Sequence, residues 1–214
     1  MSGQHREGST KPGSRGQITR QRIRNSAAEL FERYAPEEVT VSTIARHAGV
    51  YPNQITHHFG SKDALFVESA FSSLLRDSAR LKTVSRRTAD PEVFVTALAR
   101  TALVMPSIPM VVSALGLGRS HTALQPTLTG GMKVLFRSST HYVRTILQEK
   151  GWTMPESVEK EVKTFWSTIF GAVLMGQAGF QGTPSDLDVA SLVRINADPK
   201  AMDERFAPDR TGGG

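Results

Sequence analysis

A nine-residue segment that begins at Tyr51 carries side chains suited to hydrogen bonding with the edges of DNA bases. Only Ile55 and Phe59 within it have the spacing of buried anchors on a helix. The side-chain amides of Asn53 and Gln54 are each able to form two hydrogen bonds with adenine. The segment contains no carboxylate, which suits a polyanionic partner. Its composition therefore predicts a nucleic-acid contact rather than a catalytic site.

The other reactive side chains do not form a recognisable enzyme or metal site. The chain has no cysteine, which excludes thiol nucleophiles and disulfides and agrees with a reducing compartment. Ser120 precedes His121, but no acidic residue lies nearby in the sequence to orient the imidazole. His57 and His58 would point about 100° apart on a helix, with no ligand at i,i+4. We therefore predict no catalytic residue, metal or cofactor, and a helical enzyme ranks third among the functional hypotheses.

Two short helices separated by a glycine would position the polar segment. Thr40 is a suitable N-cap for a helix through Ala48, and Gly49 permits the left-handed turn that follows. Pro52 fits the first turn of a second helix, which ends near Phe59. This layout is typical of a helix-turn-helix, whose second helix enters the major groove.

The rest of the chain also has helical periodicity. Apolar residues recur at helical spacing from about residue 18 to Pro36 and in successive stretches between residues 61 and 194, without a strand pattern. The fold class predicted is all-α. We divide it into a disordered basic arm over 1–17, a helix-turn-helix domain over 18–60, a larger helical effector-binding and dimerisation domain over 61–196, and a flexible tail over 197–214.

Positive charge is concentrated at the N-terminus. The whole chain has 26 Lys and Arg against 20 Asp and Glu, a formal net charge of +6. Residues 1–24 hold six basic residues against Glu7 alone, which gives +5. Arg20 and Arg24 belong to this group and are predicted phosphate contacts. The alternative interpretation is a solubilising tail.

Two stretches of the chain resemble the DNA-binding domain of TetR-family transcriptional repressors. They are Thr40-Val41-Ser42-Thr43-Ile44-Ala45-Arg46-His47-Ala48-Gly49-Val50 and the later His57-His58-Phe59-Gly60-Ser61-Lys62-Asp63-Ala64-Leu65. The resemblance covers residues 19–66. It implies an all-helical homodimer in which three N-terminal helices bind a double-stranded operator and a fourth links them to the body. The family's last two long helices form the dimer interface, and a small-molecule effector usually releases the DNA.

The resemblance also implies roles for individual residues. Thr43 and Lys62 match phosphate contacts, and the recognition-helix positions are held by Tyr51, Pro52, Asn53, Gln54, Thr56, His57 and His58. The family often has two aromatic residues where this chain has Thr56 and His57, which changes the side chains offered to the operator.

The C-terminal region is predicted from composition alone. Residues 156–194 are apolar over more than one helix face, which predicts the homodimer interface there. Proline interruptions between residues 91 and 180 predict an effector pocket where the helices diverge. Its expected lining is Met105, Met110, Phe136, Trp166 and Phe170, with His141, Tyr142 and Gln177 as polar groups. No Lys or Arg cluster faces this region in the sequence, so the expected effector is largely apolar, neutral or cationic.

One alternative is a constitutive or architectural DNA-binding dimer without an effector. The two hypotheses differ in whether the body contains a cavity of ~300 Å³ or more. No apolar stretch reaches the ~20 residues of a membrane span, and the N-terminus does not have the pattern of a signal peptide. We therefore predict a cytoplasmic protein with no membrane partner.

Overall fold

The computed structural model describes residues 12–85, 88–180 and 192–197, and most of these are helical. The described α-helices are α1 Pro12–Phe31, α2 Val41–Ala48, α3 Pro52–Phe59, α4 Lys62–Ser85, α5 Pro91–Leu103, α6 Ser107–Ser120, α7 Gln125–Lys150 and α8 Val158–Gln177. A short 3₁₀ helix, Thr122–Leu124, precedes α7. Two strands, β1 Trp152–Thr153 and β2 Asn196–Ala197, complete the described elements. The all-α fold class is confirmed.

The chain forms two compact units whose boundary lies within α4. Unit 1 ends at Ser69 and unit 2 begins at Ala70, whereas the sequence predicts a division after residue 60. The difference arises because the first turns of α4 contribute core residues to unit 1. Leu65 and Phe66 are buried there, and the Phe66 ring meets Phe31 edge-on with 4.9 Å between centroids. Such an aromatic pair contributes about 0.5–1.5 kcal/mol beyond its buried area.

Unit 1 contains α1, α2 and α3, and its local signals agree with its structure. Thr40 Oγ1 accepts a hydrogen bond from the Thr43 amide at 3.1 Å, which caps α2. Gly49 ends α2 with a φ of 63°, a left-handed conformation that glycine adopts without steric cost. Ile44 from α2 and Ile55 from α3 are both buried in the core of this unit.

The first helix starts earlier than the sequence predicts. α1 begins at Pro12, so the predicted start near residue 18 and the disorder of residues 12–17 are wrong. Proline tolerates the first helical turn because its missing amide hydrogen would have no partner there. The glycine and serine content that favours disorder lowers helix propensity by only about 1 kcal/mol per glycine, which neighbouring helical residues offset. Residues 1–11 lie outside the described part of the chain.

Unit 2 is organised around α8, which packs against α5, α6 and α7. Trp166 and Ile169 of α8 are fully buried, as is Phe94 of α5. The Trp152 ring lies 5.6 Å from that of Phe94, which anchors the connection between α7 and α8. At Gly131 of α7, an added Cβ would lie 2.5 Å from the Phe71 ring, so the helix backbone approaches this ring closely.

The end of the described chain differs from the prediction of helical stretches up to residue 194. Residues 181–191 lie outside the described part, but Val193 and Arg194 are not helical. β2 then pairs antiparallel with β1, placing Trp152 opposite Ala197. The expectation of no strand is therefore wrong for these two short segments, since two residues are too few for an alternating pattern. Ala197 also lies in a strand rather than in the predicted flexible tail.

No single described helix combines the length and apolar character needed to span a membrane. α5 and α6 meet the length and composition requirements only as a pair, which is bent by 68°.

Candidate nucleic-acid interface and ligand cavity

Helix α3 presents one polar face to solvent while the opposite face anchors it. Ile55 and Phe59 are buried, as the spacing predicts. Tyr51, at the N-cap, is 78% exposed, and Asn53 is exposed on the first turn. The structure thus brings most of the predicted recognition-helix residues together on one accessible surface, whose exposed members are Tyr51, Pro52, Asn53, Thr56 and His57.

Gln54 and His58 differ from the other recognition-helix positions because both are half-buried. Gln54 Oε1 accepts a hydrogen bond from the Tyr51 amide at 3.2 Å and so caps α3. A bidentate contact with adenine requires both the oxygen and the nitrogen of the amide. To read adenine in this way, Gln54 has to share its Oε1 atom between the base and the capping bond, since an amide oxygen has two lone pairs, whereas Asn53 is exposed. The centroid of the His58 ring lies 5.1 Å from that of His57 and 6.4 Å from that of Phe59.

Helix α2 packs against α3 in the helix-turn-helix, and its N-terminus is a second feature suited to DNA. The Thr43 hydroxyl lies 2.9 Å from Thr40 Oγ1, so the two threonines form a hydrogen-bonded pair at the first turn. The first turn contains no acidic residue. Amide groups at a helix N-terminus favour an anion, which is compatible with the phosphate contact expected of Thr43.

Lys62 makes structural contacts within unit 1. Its ammonium donates hydrogen bonds to the backbone carbonyls of Pro36 at 2.7 Å and Val39 at 3.1 Å. These contacts tie the first turn of α4 to the connection between α1 and α2. Since an ammonium has three N–H donors, one donor is left for a phosphate.

The two arginines expected to bind phosphate are engaged within unit 1. The Arg20 guanidinium lies 2.5 Å from Glu68 Oε1 and 4.5 Å from the centre of the Phe59 ring. Arg24 donates a hydrogen bond to the Gln21 side chain. The sequence does not reveal the inward contacts of Arg20, because its partners Phe59 and Glu68 are distant in the chain.

Arg22 and Arg46 are exposed basic residues near the helix-turn-helix that were not among the predicted DNA contacts. Arg22 donates a 3.4 Å hydrogen bond to the Gly49 carbonyl, at the turn of the helix-turn-helix. Arg46 is exposed on α2. Each is a basic residue on the polar face of a helix in or beside the motif, a feature that can be recognised in the sequence. This feature does not show which of the arginines would contact DNA.

Unit 2 contains an apolar cavity of about 60 Å³. Its lining comes from α5, α7, α8 and the segments beside β1 and β2. It consists of Phe94, Val95, Leu98, Ser139, Tyr142, Val143, Met154, Glu161, Val162, Phe165, Trp166, Val193 and Ile195. This volume accommodates a few water molecules and is smaller than the ~300–1,000 Å³ of ligand pockets.

Most residues of the expected effector site lie elsewhere. Only Trp166 and the polar group Tyr142 line the cavity. Met105, Met110 and Phe170 are buried outside its lining, Phe136 is half-buried, and His141 and Gln177 are exposed. Helical periodicity identifies an apolar stripe but does not determine which part of it remains unfilled by a neighbouring helix.

Glu161 is the lining residue that sequence reasoning missed most clearly. It occupies a position on the apolar side of α8, four residues before Phe165, and is only 8% exposed. Its Oε2 atom has no hydrogen-bond partner among the described residues. Burial raises the pKa of this carboxyl group, and the nearby charge of Glu156 adds to the rise, while Lys160 and Arg194 oppose it. The sequence feature that could have identified Glu161 is a carboxylate at an otherwise apolar position of the helix.

The end of α8 leaves a second apolar surface exposed. Leu174 is 56% exposed and Met175 39%, and Phe180 just beyond the helix is 56% exposed. Added Cβ atoms at Gly171 and Gly176 would meet no atom within 4 Å. These residues lie within the segment predicted to form a dimer, although residues 181–191 of that segment are outside the described part of the chain.

Comparison with known protein families gives two matches. Residues 23–68 match the family described as bacterial regulatory proteins, tetR family. Residues 91–194 match the family described as bacterial transcriptional repressor C-terminal. A comparison with curated protein sequences gives no match.

Solved structures show the same fold. A transcriptional regulator from Rhodococcus sp. RHA1 is 29% identical with a TM-score of 0.66, and the alignment covers 80% of this chain and 91% of that one. A tetR-family transcriptional regulator from Streptomyces coelicolor is 20% identical with a TM-score of 0.55, covering 82% and 77%. The multidrug binding protein EbrR, complexed with imidazole, is 16% identical with a TM-score of 0.58, covering 91% and 100%.

Proposed function

Because the chain belongs to the TetR family of bacterial transcriptional regulators, we propose that it is a cytoplasmic, dimeric repressor released from a palindromic operator by a small, largely apolar effector. The observation that carries the proposal is the exposed polar face of α3, held in place by buried Ile55 and Phe59. A helix anchored on one side and polar on the other fits the major groove.

In the proposed complex, α3 reads base edges and the surrounding elements hold phosphates. Asn53 is exposed on the first turn of α3, where a recognition helix meets the bases. The N-terminus of α2, the third N–H of Lys62 and the exposed Arg22 supply the phosphate contacts. Phosphate contacts fix the orientation of the protein, while base contacts provide sequence specificity.

The proposed dimer forms through the exposed apolar residues at the end of α8 and the segment that follows. Leu174, Met175 and Phe180 would lose their contact with water in such an interface. Two copies place two recognition helices on half-sites about 34–36 Å apart, which explains why a palindrome is expected.

The small cavity bears on effector release. At about 60 Å³ it must open for a drug-sized ligand to enter, which would move α5, α7 or α8. A ligand that favours the opened form shifts the protein away from its DNA-binding form, and a coupling of ~1–3 kcal/mol lowers operator affinity about 5- to 150-fold. The same small volume favours the second candidate function, a constitutive DNA-binding dimer with no effector.

The experiment selects an operator from random duplex DNA and then compares three proteins for DNA affinity and sedimentation. We expect wild type to bind a palindrome as a dimer, and Leu174→Glu to be a folded monomer with reduced operator affinity. Val104→Glu is the control, because Val104 is 78% exposed but lies outside the proposed interface. A selected site without two-fold symmetry, or a Leu174→Glu variant that remains dimeric, would contradict the proposal.

A further inference from the structure

The cavity of unit 2 contains one buried acidic group that the fold itself does not use. Glu161 is 8% exposed and lines the cavity, and its Oε2 atom has no hydrogen-bond partner among the described residues. A carboxylate in an apolar environment is costly unless it is protonated or paired with a cation. The site therefore has an unmet requirement for a positive charge or a hydrogen-bond donor.

The side chains around Glu161 also favour a positively charged ligand. Phe94, Tyr142, Phe165 and Trp166 place four aromatic side chains in the lining. Aromatic faces attract a cation through the ring quadrupole, most strongly when water is excluded. The Trp166 indole N–H is already bonded to Ser139 Oγ at 3.0 Å, so it does not compete for the Glu161 carboxylate.

Within the described part of the chain, no basic side chain pairs with the Glu161 carboxylate. The described lining includes no Lys or Arg, and no ion pair joins Glu161 to a described basic residue. Lys160 and Arg194 lie near enough to influence the carboxyl group but not to bond with it. An anionic ligand would meet an unneutralised carboxylate, whereas a cation would pair with it.

We propose that this cavity binds an organic monocation with an apolar body, and that Glu161 is its counter-ion. The ligand is an amine or quaternary ammonium compound whose charged group meets the carboxylate while its body contacts the aromatic rings. The present volume of about 60 Å³ holds only a few water molecules, so the cavity has to widen to admit even a body of one ring, and a larger body would require more opening. That such a ligand is also the effector rests on the proposed function, but its binding to the cavity does not.

The test compares three probes of similar size on the full-length protein: benzylammonium, neutral benzyl alcohol and anionic benzoate. Dissociation constants are measured by calorimetry at pH 7 with wild type, Glu161→Gln and Glu159→Gln. Glu159 is the matched control because it lies on the same helix with its side chain 47% exposed. Its replacement removes the same charge without changing the cavity.

We expect wild type to bind benzylammonium at least about tenfold more tightly than benzyl alcohol, and benzoate not at all. Glu161→Gln should lose this preference for the cation, while Glu159→Gln keeps it. A thermal stability of Glu161→Gln at pH 7 that is no lower than that of wild type would show that the loss does not come from unfolding. Equal affinity for cation and alcohol, retention of the preference in Glu161→Gln, or no binding of any probe would each overturn the proposal.

Operator binding by the ligand-free protein, measured in the same preparation, separates this proposal from the proposed function. Operator binding without cation binding refutes only the cavity assignment. Cation binding without operator binding refutes the repressor and leaves the cavity site intact. If both occur but the cation leaves DNA affinity unchanged, the cavity binds a ligand that is not the effector.

Discussion

Replacing Lys62 by methionine distinguishes a structural role for this side chain from a role in DNA binding. The Lys62 ammonium donates hydrogen bonds to the Pro36 carbonyl at 2.7 Å and the Val39 carbonyl at 3.1 Å. Methionine preserves much of the apolar stem but provides no donor. Both carbonyls then lose their charged partner.

The magnitude follows from the number of bonds and their exposure. A hydrogen bond to a charged group contributes about 1.5–3 kcal/mol when it is well protected. Lys62 is half-buried, so water is able to replace part of each interaction after the substitution. For the pair we expect a loss of about 1–3 kcal/mol in the free energy of unfolding of unit 1. This corresponds to roughly 5- to 150-fold faster amide hydrogen exchange in its globally protected amides.

The assay uses the full chain in denaturant unfolding and in amide hydrogen exchange of α1 to α3. Arg46→Met is the control, because it removes one exposed positive charge from α2 without a carbonyl contact and should change stability by less than about 0.5 kcal/mol. The reasoning is refuted if Lys62→Met is as stable as Arg46→Met while binding to all DNA sequences weakens. Lys62 would then act through phosphate alone.

Three further outcomes test the packing, the interface and the cavity. Gly131→Ala should destabilise unit 2 by about 1–3 kcal/mol in urea unfolding, because the new Cβ would lie 2.5 Å from the Phe71 ring. Gly130→Ala is the control, since its new Cβ would meet open space, and it should stabilise unit 2 by up to about 1 kcal/mol. Asn53→Ala should cost about 1–3 kcal/mol on the selected operator but little on random duplex, measured by fluorescence anisotropy; an equal loss on both would argue against base reading. Because burial raises the pKa of Glu161, its contribution to stability is full below the unfolded pKa and is lost as pH rises through the folded pKa. The stability of Glu161→Gln relative to wild type should therefore increase from acidic to neutral pH, and a difference independent of pH would contradict the assigned burial effect.

Several features of unit 1 could be predicted from sequence because local chemistry specifies them. Thr40 has the side chain that caps a helix, and Gly49 has the backbone freedom that the turn requires. Ile55 and Phe59 repeat at the spacing of one helix face and are buried, as expected. These interactions lie within a few residues along the chain, so residue type and spacing carry the information.

The functions of the charged residues in unit 1 could not be predicted in the same way. Lys62 and Arg20 carry the positive charge expected of phosphate contacts, yet each has partners more than twenty residues away in the sequence. A basic side chain has several donors and a flexible stem, so its sequence neighbours do not determine whether it faces solvent or a carbonyl. Only the packing of the start of α4 against α1 and against the connection that follows α1 decides this.

The cavity of unit 2 shows most clearly which features are local in the sequence and which depend on tertiary packing. The sequence by itself determined that the second unit is helical and rich in bulky apolar residues, since helical period and proline breaks are local. It did not determine that Trp166 would line the cavity while Phe170, four residues later, would be buried outside its lining. Tertiary structure decided this because an empty space exists only where the side chains of several helices fail to fill it together, and one helix does not encode the shapes of its neighbours.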